Sequence, residues 1–269
     1  MKKTKKVLSF ALIMVLTIVA TVGITVAYLT DTDEEKNTFA LGNVEIELIE
    51  QQRVEDADGD KTTDLEDFAD DKVLLPIVGS AQGEKDSLGL PTAANWVDKI
   101  VDVTNTGSQD AYVRVLMAFP ADMDDKDSAA DMMLHWNING TGYSWTMADE
   151  GLQVTIEERT YNVYSFTYNK VLPVDGTTDS HAITGVYIDS RVDATSSEDA
   201  DGNKYITYSM VNSKGETVTS ILYGDIDEDE EIDGPQIYVF AQAIQSAGFA
   251  TPADAFAASN FTLDPWNHK

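Results

Sequence analysis

Residues 204–223 read KYITYSMVNSKGETVTSILY and decide the fold class. Ile206, Tyr208 and Met210 alternate with polar residues, which is the period of a β-strand that has one buried and one solvent-facing side. The SKG triplet at residues 213–215 supplies turn-forming residues, and a second run rich in β-branched and aromatic residues follows it. Two such runs joined by a short turn predict an antiparallel hairpin.

The same pattern recurs along most of the chain. Strand-like runs lie at residues 44–48, 96–104, 112–119, 154–158, 161–168, 184–192, 204–211, 217–223 and 236–244. Turn signals such as NTG at 105–107 and DGN at 201–203 separate them. Helical signals are scarce: Thr251 as an N-cap predicts a helix over 252–258, and a weaker pattern lies near 127–134. The sequence therefore predicts an all-β, antiparallel, jelly-roll-like β-sandwich with one or two short helices.

Charge and composition exclude several classes of function. The 269 residues include 47 acidic and 18 basic side chains, a formal net charge of −29, and no cysteine. Nucleic acid is excluded as a partner, because phosphate binding needs Lys and Arg to displace counterions. Without cysteine there is no disulfide framework, thiol nucleophile or cysteine-based zinc site. The 43% hydrophobic content is sufficient for a packed core.

The N-terminus has the composition of an export signal. Residues 1–6 contain four lysines, and residues 7–29 contain no charge. A basic segment followed by an apolar one predicts a signal peptide helix over residues 1–27, with cleavage between Ala27 and Tyr28. The alternative is an uncleaved anchor, which would be the chain's only contact with a membrane, since the apolar run is long enough to span one. Both readings place the remainder outside the cell, secreted or at the surface, and cleavage changes the net charge from −29 to −33.

Residues 27–50, AYLTDTDEEKNTFALGNVEIELIE, carry a family resemblance. The segment resembles the N-terminal region of Gram-positive proteins that a SipW-type signal peptidase matures, the TasA and camelysin group of biofilm matrix and surface proteins. The matching features are Ala27 before the cut, an aromatic residue at Tyr28, TDT at 30–32 and NTF followed by a Gly-Asn turn at 37–43. Residues 101–115 and 237–249 also look like this group.

The resemblance implies a secreted structural protein that polymerises into matrix or surface fibres, with its own copies and other matrix proteins as partners. In such proteins the N-terminal strand passes into the neighbouring sandwich, which requires a free arm and an alternating strand. Here residues 28–36 would form the arm and residues 38–50 the strand. The expected apolar anchors of the exchanged strand are Phe39, Leu41, Val44, Ile46 and Leu48. Alternatively, the segment is an ordinary first strand of its own sandwich.

Domain boundaries are weakly marked. After the signal peptide we expect an N-terminal arm and strand at 28–50, an acidic loop-rich segment at 51–95 and the main sandwich at 96–269. The acidic run at 55–71 separates the first strand from the later ones, and no fixed-period repeat is visible.

Two acidic runs suggest calcium, the only cofactor that the sequence points to. Alternate carboxylates at the spacing of a calcium loop occur at Asp56, Asp58, Asp60 and Asp64, and again at Asp225, Asp227, Asp229 and Asp233. Lys61 and Glu230 stand where the sharp turn of such a loop needs glycine. Solvated acidic loops with Asx turns are the alternative explanation.

Catalytic motifs are missing from the sequence. The histidines are His135, His181 and His268, and none belongs to an HExxH motif or to an i, i+4 pair. The camelysin branch of the group is reported as metalloproteases, so a camelysin-like protease is one rival interpretation, although we predict no enzymatic activity. A monomeric adhesion or glycan-binding module is the second rival, because the four tryptophans and eleven tyrosines could supply stacking platforms.

Overall fold

The structure, a computed structural model, describes residues 30–33, 44–56, 61–68, 87, 90, 96–125, 128–136, 143–200, 202, 204–223 and 236–267. Within these residues the protein is all-β, with every strand pair antiparallel and a single short α-helix. The predicted signal peptide lies outside them. No helix in the described part of the chain is long and apolar enough to cross a membrane.

Fourteen strands, one 3-10 turn and one α-helix follow each other along the described residues. They are β1 (Thr30–Asp33), β2 (Ile46–Glu55), β3 (Lys61–Asp67), β4 (Val97–Asp98), β5 (Ile100–Asn105), β6 (Ala111–Pro120), the 3-10 turn (Ala129–Asp131), β7 (Leu134–Trp136), β8 (Trp145–Ile156), β9 (Arg159–Tyr168), β10 (Gly185–Ile188), β11 (Asp193–Glu198), β12 (Lys204–Val211), β13 (Thr217–Tyr223), β14 (Tyr238–Gln245) and α1 (Pro252–Ala258).

The largest sheet has five strands in the order β1-β14-β6-β9-β8. The central strand of this sheet, β6, is buried on both sides. Val113, Val115 and Met117 point into the main core, whereas Tyr112 and Ala118 pack on the opposite side. The helix α1 and the residues after it cover that second side, which explains why β6 is almost continuously apolar rather than alternating.

Three smaller sheets, β3-β2-β5, β4-β10-β7 and β11-β12-β13, complete the described fold. One hydrophobic cluster joins all of them to the five-stranded sheet, with members such as Ile46 on β2, Ile188 on β10 and Met210 on β12. The chain thus forms sheets packed around a shared core, which is the sandwich-like arrangement expected of antiparallel sheets that each bury one side.

The structure confirms the clearest elements of the sequence analysis. The hairpin at 204–223 forms with the predicted bounds, and Gly215 in its turn has a φ of 80°, a left-handed conformation that favours glycine. The helix begins after Thr251, whose hydroxyl accepts a hydrogen bond from the Asp254 amide.

Four strands were not predicted from the pattern. Two of them, β3 and β11, are polar and exposed along most of their length, so neither shows apolar alternation. The others, β1 and β7, are only four and three residues long. As a result, the segment 51–95 that was predicted to be loop-rich contains the end of β2 and all of β3.

Candidate functional site

The strand β1 forms one edge of the five-stranded sheet. It pairs antiparallel with β14, and Thr30 lies opposite Ile244 while Asp33 lies opposite Ala241. The predicted cleavage point between Ala27 and Tyr28 lies outside the described residues. If cleavage occurs there, β1 starts at the third residue of the mature chain, and its four residues are TDTD.

The strand β2 is held much more firmly. It pairs with β5 from Ile46, opposite Asn105, to Gln51, opposite Ile100, and with β3 on its other side. Of the predicted exchange anchors, Val44 and Ile46 are 9% and 3% exposed in the core, and Leu48 packs against that core. The anchors Phe39 and Leu41 lie outside the described residues. In this structure β2 therefore pairs as a strand of its own chain.

An ion pair buried between sheets fixes β2 further. The Arg53 guanidinium donates to both carboxylate oxygens of Asp98 on β4, at 2.8 and 2.7 Å, and the Arg53 amide donates to the same carboxylate at 3.0 Å. The two side chains are 0% and 2% exposed. Next to this pair, the Lys99 ammonium binds Glu50 and lies 4.2 Å from the centre of the Phe68 ring. Paired charges of this kind tolerate burial, whereas either one alone would not.

The first predicted calcium loop takes another form. Residues 61–67, which would provide the second half of that loop, form the extended strand β3 paired with β2, and Asp64 on it is exposed. An extended, paired backbone does not wrap around one ion as a calcium loop does. Asp56 is exposed after β2. The other predicted ligands, Asp58, Asp60, Asp225, Asp227, Asp229 and Asp233, lie outside the described residues.

The two described histidines bind carboxylates at separate places. His181 Nδ1 lies 2.6 Å from Asp102 Oδ2, and this hydrogen bond raises the pKa of His181. His135 Nε2 lies 3.1 Å from Asp189 Oδ2. Hydrogen bonds from Arg191 lower the pKa of Asp189 to about 2. Among the described residues no group of three or more His, Asp or Glu side chains could hold a metal ion.

Sequence reasoning missed a groove whose lining is acidic. It has a volume of about 460 Å³ and is lined by Ala121, Asp122, Met123, Asp124, Asp125, Asp131, Met133, Gln153, Val218 and Thr219. The acidic run at 122–127 was the available signal, but its proximity to β13 could not be read from the sequence.

The carboxylates of the groove are held in place by neighbouring polar groups. Asp122 accepts a hydrogen bond from Arg159 at 2.7 Å. Asp124 accepts from Asn162 at 2.9 Å and from the Tyr164 hydroxyl at 2.7 Å. Burial, followed by the Asp124 carboxylate, raises the pKa of Tyr164. These bonds fix the orientation of the two carboxylates.

These observations define an all-β antiparallel protein. Its first described strand, β1, is an edge strand of the largest sheet. No protein-family model, curated protein or solved structure matches the chain.

Proposed function

We propose that this protein is a secreted structural protein, a subunit of extracellular matrix or cell-surface fibres that assembles by exchanging its N-terminal strand. In this proposal a SipW-like signal peptidase removes residues 1–27, and the remaining chain forms a jelly-roll-like β-sandwich. The observation that carries it is the pairing of β1 with β14 at a sheet edge. The acidic chain's partners are further copies of itself and other matrix proteins.

Exchange at this edge needs no new type of contact. The β1 strand of a neighbouring copy can form the same backbone pairs with β14 that the chain's own β1 forms. Ten residues, 34–43, connect β1 to the residues before β2. Ten extended residues reach about 35 Å, and a domain of this size has a radius of gyration of about 18 Å. A fully extended connection is thus longer than the radius of one copy, which supports exchange between copies whose β14 edges face each other.

The contacts of β2 support exchange of β1 rather than of β2. The anchors Val44, Ile46 and Leu48 belong to a segment that is buried or paired within its own chain. Releasing them would expose core side chains and separate Arg53 from Asp98. The proposal therefore assigns exchange to β1, with Phe39 and Leu41 in the connection between the two copies.

The test compares two versions of the mature protein by negative-stain electron microscopy. One begins at Tyr28 and the other at Glu34, which removes β1. We expect filaments only from the version that begins at Tyr28. A matched control, Thr30→Val with Thr32→Val, keeps the strand length and the backbone donors and should still form filaments. Filaments in equal number from the protein that begins at Glu34 would contradict the proposal.

A further inference from the structure

The strand β13 is an edge strand that lacks the usual protection against pairing. Its sequence TVTSILY contains no charge and no proline, and its register with β12 has no irregularity. Among the described residues it has a strand partner on one side only. Natural edge strands normally carry charges, prolines or bulges, because a regular uncharged edge is a template for another strand.

Other edges of the described sheets are protected. The edge strand β8 carries Asp149 and Glu150 next to a bulge, and the edge strand β3 carries several charges. The edge strand β5 is covered by residues 176–183, whose backbone groups bond to it, as in the hydrogen bond from the Val101 amide to the Ile183 carbonyl. Among the described edge strands longer than three residues, β13 is alone in having no charged residue.

The acidic groove runs along this same edge. Val218 and Thr219 both line it, although adjacent residues of a strand point to opposite sides of the sheet. Both residues nevertheless contribute atoms to the groove wall, which places the groove beside β13. The Asn212 amide donates to the Glu216 carbonyl, so these two residues form a hydrogen-bonded pair at the start of the ladder. Bonded and non-bonded pairs alternate along an antiparallel ladder. Thr219 and Ile221 fall in non-bonded pairs, and their amides therefore point away from β12.

The charge of the groove indicates which kind of segment would bind there. Among the described residues its lining includes four aspartates, Asp122, Asp124, Asp125 and Asp131. One cation, Arg159, bonds Asp122, so these described groups together carry an excess of negative charge. A second copy of this chain would bring its own β13, and therefore its own set of aspartates, against these carboxylates. An extended segment with basic side chains would instead meet opposite charge.

We propose that the groove binds an extended basic peptide segment of a partner protein, which adds to β13 as a further strand and places Lys or Arg side chains against Asp125 and beside the Asp122–Arg159 pair. Backbone pairing with β13 supplies affinity that depends little on sequence, and the aspartates supply the preference for basic partners. This site is separate from β1 and does not depend on fibre formation.

Isothermal titration calorimetry of the mature protein with the peptide Thr-Lys-Val-Lys-Val-Lys-Val-Thr tests the proposal. We expect saturable binding that weakens with added salt, and no binding of the version with Glu in place of Lys. Thr219→Pro removes an outward backbone donor without touching the ladder to β12 and should weaken binding by about tenfold or more. Thr219→Val keeps that donor and should bind as the wild type does.

A second variant makes the result independent of the folding of Thr219→Pro. Asp125→Asn leaves the backbone edge and the Asp122–Arg159 pair in place and should also weaken binding of the lysine peptide, by about threefold. Equal binding of the Lys and Glu peptides, or unchanged binding by both variants, would overturn the proposal. A peptide-free dimer in sedimentation velocity that Thr219→Pro abolishes would also overturn it, in favour of a second copy as the occupant.

Discussion

The strands β1 and β2 follow each other in the chain but are held in very different ways. The four residues of β1 have one neighbouring strand, whereas β2 pairs with β5 from Ile46 to Gln51 and with β3 from Gln51 to Glu55. The strand β2 is also held by a buried ion pair, between Arg53 and Asp98. A strand can be exchanged between copies only if leaving its own chain has a small free-energy cost, so the proposed strand exchange would involve β1, with β2 remaining in its own chain.

The largest effect should come from breaking the ion pair of β2. Asp98→Ala leaves the Arg53 guanidinium buried without its carboxylate, and we expect the free energy of unfolding to fall by about 3–5 kcal/mol. Urea unfolding followed by circular dichroism measures it. Lys170→Ala, which breaks an exposed pair with Asp179, is the matched control and should cost less than about 1 kcal/mol. Equal losses in the two variants would show that the buried pair does not hold β2.

The apolar anchor of β2 should have the next largest effect. Ile46 is 3% exposed, and Ile46→Ala removes core packing, so we expect a loss of about 2–4 kcal/mol in the free energy of unfolding. The same substitution at Leu65 on the neighbouring strand β3, where the side chain is 39% exposed, should change it by about 0.5 kcal/mol or less. A loss at Ile46 as small as that at Leu65 would mean that this anchor contributes little to β2.

Deleting β1 should have a much smaller effect on stability. Its backbone hydrogen bonds each contribute about 1 kcal/mol net, and ordering each of its residues costs about as much in conformational entropy. We therefore expect the protein that begins at Glu34 to unfold within about 1 kcal/mol of the one that begins at Tyr28. A difference as large as that for Asp98→Ala would show that β1 is as firmly fixed as β2.

The smallest effect should come from His181, which binds Asp102 on β5, the partner of β2. The hydrogen bond raises the folded-state pKa of His181 above its ordinary value of 6.5. Its contribution to stability is thus fully present below that value and is lost as pH rises through the folded pKa. The 42% exposure of the side chain keeps the effect small.

Urea unfolding of wild type and His181→Gln between about pH 5 and about pH 8 measures this contribution. The wild-type advantage should shrink as pH rises. An advantage that grows with pH would contradict the assignment.

How far the sequence predicts the structure depends on the residue pattern. The hairpin at 204–223 is readable because burial of one side imposes apolar alternation on its strands. The polar strands β3 and β11 are not, since burial imposes no pattern on an exposed strand. Arg53 and Asp98 are 45 residues apart, and only the register of β2 with its neighbours brings them together. The acidic groove likewise depends on folding, because only the folded chain brings residues 121–125 next to β13.

The most direct test of strand exchange uses the absence of cysteine from the chain. Asp31 lies opposite Ala243 in the pairing of β1 with β14, so Asp31→Cys with Ala243→Cys can join the two strands by a disulfide. Oxidation before assembly should lock β1 onto its own chain and abolish filaments. Oxidation after assembly should instead produce a ladder of cross-linked copies on a non-reducing gel. Filaments formed in full yield by the internally locked protein would contradict the account.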